Sequence, residues 1–486
     1  MKSATRNLII VGAGVVVLGG ALAALLLAGG GEEPSSSSES ASSAVISLVS
    51  KQEEDIVSMK VTNENGSYTI VPHTEEVEAS SGTSTKTTYL VEELGDLPIN
   101  TYTTDRVVEY GFSLNASKNV GEVENLADYG LKNPRATVKV TFKDDTVYEY
   151  NLGDVSAGDS SSCYMSGKGS SNVYVVSIDA AVFNSVEDFV DKKLVNVSTA
   201  DPNTPAVFNY LKLSGTNFEV PVTLEGDNSL TEMTAGEQSL DPDAEKVSAL
   251  TTALTTITAD QALYLHPTEE QLKECGLDDP AAIVEFTVEG ATYKLMAGGK
   301  SEDKSEQYLM KDGVDVIYTI SSSKISAWTD NSAFNLRTKF ILLPMITDVE
   351  KLTVSLDGKD NVFVLSRTKD EEKSTEDTPS YTYTVTGNGK EITYKNFQQY
   401  YKSMIQIQLL EPTKEEPQGD PDLTITYQYY GDTGKPTDVV DYYEISDRRY
   451  LVTVNGTVSG IVASTNVQTF LNFTPKILVD EELPNV

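Results

Sequence analysis

Cysteine and histidine are nearly absent, with two of each in 486 residues. Two cysteines exclude a disulfide-stapled scaffold and any multi-cysteine zinc site. Two histidines leave little for a histidine-based metal or acid–base centre. Positive charge is also short: 37 Lys+Arg stand against 73 Asp+Glu, a net charge of −36. That balance argues against nucleic-acid binding, because neutralising phosphates needs a surplus of cations. Tryptophan occurs once, and 13 phenylalanines are outnumbered by 25 tyrosines. Tyrosine in place of phenylalanine suits half-exposed sheet faces, where the ring packs and the hydroxyl stays wet. A hydrophobic content of 39% is enough to build cores. At ~100–200 residues per domain the chain has room for two to four of them.

One long apolar run is present. Leu8 to Ala28 passes 21 residues without a charge, a length of ~31 Å as a helix and about one bilayer core. Lys2 and Arg6 precede it, and Glu32 and Glu33 follow. The positive-inside rule then places the N-terminus in the cytoplasm and the remainder outside. Residues 1–31 therefore read as a single-pass membrane anchor. Cleavage of a signal peptide near Ala28 is the competing reading, although such an apolar core normally runs only ~7–15 residues. Ile9 to Gly14 imitates a dinucleotide-binding turn, but Val17 occupies the third glycine position and no βαβ unit follows. Residues 32–45 form a linker, with seven serines among residues 35–44, a composition that cannot bury a core.

The exported part repeats itself. Leu126-Ala127-Asp128-Tyr129-Gly130-Leu131-Lys132-Asn133-Pro134 recurs 146 residues later as Leu272-Lys273-Glu274-Cys275-Gly276-Leu277-Asp278-Asp279-Pro280. Each copy predicts a short helix stopped by a left-handed glycine, then a proline that launches an extended strand. Val138, Val140 and Phe142 alternate along that strand, as do Val284, Phe286 and Val288. Both copies then pass Gly153 or Gly298-Gly299 into a polar loop, a strand pair, and a helix expected to start at Ser177 or Ser321. They close on Lys193-Leu194-Val195 and Lys339-Phe340-Ile341. Opening hairpins are expected to turn at Asn65-Gly66, near Ser214-Gly215 and at Asp357-Gly358. A degenerate third unit keeps Asp420-Pro421, the alternating Leu423, Ile425, Tyr427 and Tyr429, a hairpin at Asn455-Gly456, and a close at Lys476-Ile477-Leu478. Three units thus tile residues 46–200, 205–345 and 346–480. The expected class is α+β, with tandem antiparallel β-rich units and short helices behind one N-terminal transmembrane helix.

At these residues the chain resembles the bacterial domain of unknown function 4340. The Gly-Leu-x-x-Pro step, the alternating strand, the glycine turn, the Tyr-initiated strand pair and the Lys-hydrophobic close carry the resemblance. It covers about residues 122–198 and 268–345, and more weakly 346–480. The resemblance implies an envelope protein, often encoded beside ABC-transporter components of the type linked to gliding motility. It supplies no catalytic residues.

The repeat bears directly on the residues capable of chemistry. Ser321-Ser322-Ser323-Lys324 spells the S-x-x-K nucleophile pattern, but the equivalent Ser177-Ile178-Asp179-Ala180 has no lysine, so a helix cap explains both copies. His73 and His266 fall in different units without a matching nucleophile and read as loop or core residues. Cys163 falls in a predicted polar loop. Cys275 stands where the first copy has Tyr129 and reads as a small buried residue. Asp370-Glu371-Glu372 with Glu376-Asp377 reads as a solvated loop, with weak divalent-cation binding as the alternative, and no EF-hand pattern occurs. Gly158–Ser162 and Ser301–Glu306 fill one loop without shared chemistry, which reads as a spacer. Tyr427, Tyr429, Tyr430, Tyr442 and Tyr443 could form a carbohydrate-binding face or pack a core, and Trp328 should anchor a helix to its sheet.

The expectation is a non-enzymatic, membrane-anchored extracytoplasmic protein without catalytic residues, cofactor or metal. It would act as a binding or scaffolding component of an envelope complex, with ABC-transporter subunits as partners. A surface protein binding wall glycan or a host ligand is the second reading, and an unrecognised hydrolase the third.

Overall fold

The computed structural model describes residues 45–79, 82–199, 201, 203–356, 358–370, 372 and 380–485. The expected anchor at 1–31 and nearly all of the linker lie outside the described residues. No helix among the described residues is long and apolar enough to cross a membrane.

Three nine-stranded sheets follow one another along the chain. The first contains β1 (Ile46–Ser50), β2 (Ile56–Asn63), β3 (Gly66–Ala79), β4 (Gly82–Val91) and β5 (Ser113–Glu122). It is completed by β6 (Ala136–Phe142), β7 (Val147–Val155), β8 (Ser162–Gly167) and β9 (Asn172–Ser177). Its order is β1-β5-β9-β8-β7-β6-β2-β3-β4. After β10 (Lys193–Asn196) come β11 (Phe208–Ser214), β12 (Val222–Glu225), β13 (Glu232–Ala235), β14 (Gln238–Leu240) and β15 (Thr256–Thr258). Next are β16 (Gln261–Leu265), β17 (Ala282–Val288), β18 (Ala291–Lys300), β19 (Glu306–Lys311) and β20 (Val316–Ser321). The second sheet runs β14-β13-β12-β11-β17-β18-β19-β20-β16, while β10 and β15 pair separately. The third comprises β21 (Val349–Leu356), β22 (Lys359–Lys369), β23 (Tyr381–Gly387), β24 (Lys390–Ile392) and β25 (Leu409–Glu411). It continues through β26 (Leu423–Tyr429), β27 (Asp438–Ser446), β28 (Arg449–Val454) and β29 (Thr457–Ala463), in the order β24-β23-β22-β21-β26-β27-β28-β29-β25. Eight strands share one order in all three sheets, and every adjacent pair is antiparallel. The class is antiparallel β with few, short helices.

Period-two patterning makes these strands. Along β6, Ala136, Val138, Val140 and Phe142 are buried while the residues between are not, and β17 repeats the pattern from Ala282 to Val288. Helices cover the apolar face: α1 (Thr101–Phe112) and α2 (Ala244–Leu254) in the first two units. In the second unit α3 (Glu269–Glu274), α4 (Ser322–Thr329) and α5 (Ala333–Leu336) follow. In the third, α6 (Tyr394–Ile405) and α7 (Ser464–Ile477) lie against each other. One continuous apolar core spans the first two sheets, and a separate one serves the third.

The repeated glycine step has a defined geometry. Gly130 and Gly276 adopt φ of +68° and +64°. Leu131 N–H donates to the Leu126 carbonyl at 3.0 Å and Leu277 N–H to that of Leu272 at 2.8 Å, the six-residue closure of a Schellman motif. Gly153 and Gly298 then cross directly over this cap. A Cβ on either would collide with the carbonyl oxygen of Tyr129 or Cys275.

Several details differ from the sequence expectation. Glu64 and Asn65 form the loop of the first hairpin, because Asn63 and Gly66 are the closing pair. In the second unit residues 215–221 replace a tight turn and lean on the proline step, with Asn217 N–H donating to Ala281 O at 2.9 Å. In the third hairpin Gly358 has φ +71°, and Asp357 lies outside the described residues. The helix expected after Ser177 is reduced to two 3-10 turns, Ala180–Phe183 and Glu187–Phe189. Lys476-Ile477-Leu478 ends helix α7 and is not a strand. Its buried residues recur at helical spacing, with the apolar Val467, Phe470 and Ile477 and the polar Thr474 on one face.

The closing segments pair forward, into the next unit. Lys193 to Asn196 pairs with Thr258 to Thr256, immediately after helix α2. Phe340 bridges to Gln408, and Leu409 N–H donates to Lys339 O at 2.7 Å, immediately after α6. In the first unit β1 fills the corresponding slot after α1, with Ser50 opposite Ser113 and Lys51 N–H donating to Phe112 O at 3.0 Å. Each unit is thus strapped by the strand that precedes it.

Candidate functional site

The S-x-x-K segment is organised around an aspartate. Lys324 Nζ pairs with Asp260, whose other oxygen accepts the Ser321 N–H at 2.7 Å. The Lys324 ammonium holds the Asp260 carboxyl below the usual carboxylate range. Ser321 Oγ lies 3.0 Å from Ser323 Oγ and does not cap the helix that follows it. In the first unit the cap is Asp179, which accepts the Ala181 N–H at 2.8 Å. The serines therefore mark the helix start in sequence without making its capping bond.

The other candidates are dispersed. His73 sits on β3 with Nε2 3.0 Å from Glu75, and both side chains are exposed. His266 follows the end of β16 at φ +48°, with Nδ1 2.9 Å from Asp315. Cys163 is not in a loop. It lies buried on β8, opposite Val155 and Val176, where burial pushes its thiol up to about 11. Cys275 is buried beside Leu277, and both cysteines are free thiols. Asp370 N–H donates to Ser380 O at 2.8 Å. Glu372 is exposed, and Glu371, Glu376 and Asp377 lie outside the described residues. Among the described residues no group of three His, Cys, Asp or Glu could hold a metal ion.

The paired polar loops do share chemistry, contrary to the sequence reading. Asp159 accepts from Ser161 N–H at 3.0 Å, Ser161 Oγ at 2.7 Å and Ser162 Oγ at 2.6 Å. Asp303 accepts from Ser301 Oγ at 2.7 Å, Ser305 Oγ at 2.7 Å and Ser305 N–H at 3.0 Å. The signal was an Asp-x-Ser triplet at equivalent positions, visible only when loop geometry is considered. These donors, the Ser301 hydroxyl first, hold the Asp303 carboxyl at about 2. A depressed carboxyl contributes its stabilisation fully above its ordinary range of about 4 and loses it as pH falls through the folded value. Amide exchange at Ser305 should accordingly stay slow at pH 4 and quicken only towards pH 2. Quickening already complete at pH 4 would refute the aspartate-centred loop.

The tyrosines divide between core and rim. Tyr427 and Tyr442 are buried, and Tyr427 meets Tyr401 edge-on at 6.2 Å. Tyr429 and Tyr430 are half-buried, with Tyr429 Oη donating to Asp438 at 2.6 Å and Tyr430 Oη to Leu365 O at 2.6 Å. Tyr443 is half-buried too. Arg367 lies between the rings of Tyr430 and Tyr381, 4.0 and 4.5 Å from their centroids, and pairs with Asp432. The sequence reading did not include Arg367. Trp328 is fully buried on α4, which packs against β17 and β20.

What recurs around all this variety is the junction. Between the first and second units, Tyr318 Oη reaches Asp191 O at 3.4 Å and Lys192 Nζ reaches Asp260 O at 3.3 Å. Between the second and third, Tyr401 Oη donates to Pro344 O at 2.9 Å and Lys414 pairs with Glu219 at 2.8 Å. The straps are paired through the backbone, whereas the contacts that frame the junctions use side chains that differ from one junction to the next.

Comparison with known proteins gives a family match. The family described as domain of unknown function (DUF4340) matches residues 91–203 and 233–417, together more than half of the chain. The two regions fit tandem copies of the domain. No curated protein and no solved structure matches the chain.

Proposed function

We propose, for a chain that belongs to the DUF4340 family, a non-enzymatic role as a membrane-anchored extracytoplasmic scaffold in an envelope complex of the ABC-transporter type. The observation that carries it is the contrast within the repeat. Strand order recurs in all three units and the glycine cap in the first two, while Lys324, the histidines and the cysteines have no equivalents from unit to unit. Catalysis calls for a convergent acid, base or nucleophile in at least one copy. Tandem units that keep their frame and vary their surface work by contact. The surplus of acidic residues repels anionic headgroups and keeps such an array off the bilayer surface. Family resemblance supplies the expected partner, the permease subunits of a transporter.

Crosslinking in intact cells tests this reading. The expected outcome is covalent capture of membrane proteins, permease subunits foremost, through surface lysines of the array. A map containing only wall polymers would favour the glycan-binding alternative, for which the tyrosines around Arg367 are the natural platform. Robust hydrolysis of a peptide, ester or glycan by the purified protein would overturn the non-enzymatic role.

A further inference from the structure

The junction of the second and third units holds a groove of about 580 Å³, within the size range of small-ligand sites. The β13–β14 hairpin, with Glu237 and Asp241, forms one wall, and the β28–β29 hairpin, from Val454 to Ser459, forms the other. Ile341 and Leu342 of the connecting segment line it as well. Arg337 opens into this groove although it is only 7% exposed.

The guanidinium is underused. Its Nε–H donates to Thr338 O at 3.2 Å, and Nη1 reaches Ser459 O only at 3.5 Å, the outer limit of a hydrogen bond. No carboxylate lies within ion-pair distance of it among the described residues. Five N–H donors in a fork match a carboxylate in two-point contact, and Arg337 keeps most of them uncommitted. A buried cation left in this state is costly, so an incoming anion regains what desolvation lost. Burial pushes the guanidinium down from its ordinary value, and Asp241 partly offsets this. Asp241 is therefore close enough to be felt without forming a pair.

The surroundings narrow the ligand. Glu237 and Asp241 stand exposed at the rim, so a multiply charged anion such as phosphate would be repelled. The same two carboxylates would attract an ammonium. Ile341, Leu342 and Val454 offer apolar surface between the two charges. The side chain of Asn455 is already committed, accepting from Val439 N–H at 2.8 Å and donating to Asp438 at 2.8 Å. We propose that this groove binds an apolar zwitterion of short-peptide size, its carboxylate on Arg337 and its ammonium towards Glu237 and Asp241. This site is independent of the scaffolding role, since it needs no membrane partner.

Isothermal titration of the full-length chain, kept in mild detergent, tests it with the dipeptide Leu-Leu as probe. Saturable binding at millimolar concentration or below is expected, weakened about tenfold or more by Arg337→Lys, which keeps the charge and loses the fork. Thr457→Trp fills the groove from an exposed position without touching Arg337, and should abolish binding in a folded protein. Glu237→Gln should weaken Leu-Leu while strengthening N-acetyl-Leu-Leu, which lacks the ammonium. Absence of saturable binding by the native chain, or equal affinity in the Thr457→Trp and native proteins, would overturn the site. Phosphate outcompeting the dipeptide would overturn the zwitterion assignment.

Discussion

Gly298→Ala should lower the stability of the second unit by about 3 kcal/mol, the upper range for forced overpacking. A Cβ at this position meets the Cys275 carbonyl oxygen and then the Leu277 side chain, at 3.0 Å. The carbonyl cannot retreat easily, because Gly299 N–H donates to it at 2.8 Å and the residue caps helix α3. The neighbouring glycine is the control. A Cβ on Gly299 would meet the same oxygen at 3.6 Å, an ordinary contact, so Gly299→Ala should cost well under 1 kcal/mol. The only tryptophan, Trp328, lies in this unit and reports its unfolding by fluorescence. Since the first two sheets share one core, their melting should fall together, leaving the third unit's transition in place. Gly276→Val, which forces a β-branched residue to φ +64°, should behave similarly. A fluorescence transition unmoved by Gly298→Ala would refute the pressed-cap geometry.

Trp328→Ala should be costlier still, about 3–5 kcal/mol by the usual loss for a large aromatic removed from a core. Trp328 is the largest of the fully buried side chains, on a helix that packs against both β17 and β20. Its Nε1 has no hydrogen-bond partner among the described residues. Trp328→Phe should therefore lose volume without orphaning an acceptor, and cost much less. Denaturant unfolding followed by far-ultraviolet circular dichroism measures both variants, since neither retains the fluorophore. Equal losses for the two would mean that the indole nitrogen matters in a way the packing does not explain. A loss below about 1 kcal/mol for Trp328→Ala would mean that α4 is not anchored where it lies.

Features closed by short-range chemistry were legible. The Gly130 and Gly276 caps need only a glycine, a following leucine and a preceding turn. Alternation from Ala136 to Phe142 and from Leu423 to Tyr427 needs only the pleat. Loop hubs were harder. Asp159 and Asp303 differ from their neighbours only by an Asp-x-Ser spacing, and serine-rich loops offer many such triplets. Serines and glycines surround Cys163, a local composition that points to a loop and not to a buried strand. The partners that bury it, Val155 and Val176, come from other strands.

By itself the sequence determined the repeat, its hairpins, its helix stops and the strand faces that turn inward. These depend on contacts within a few residues, which composition and spacing encode directly. Only the tertiary structure decided that β2 pairs with β6, Asn63 opposite Ala136, and that the same central pairing recurs in β11–β17 and β21–β26. It also decided that the closes at Lys193 and Lys339 strap the following unit, whereas Lys476-Ile477-Leu478 ends a helix. The third such decision was the near-burial of Arg337 between two hairpins. Each of these joins residues far apart in the chain, and a segment's own pattern does not specify which distant surface will cover it.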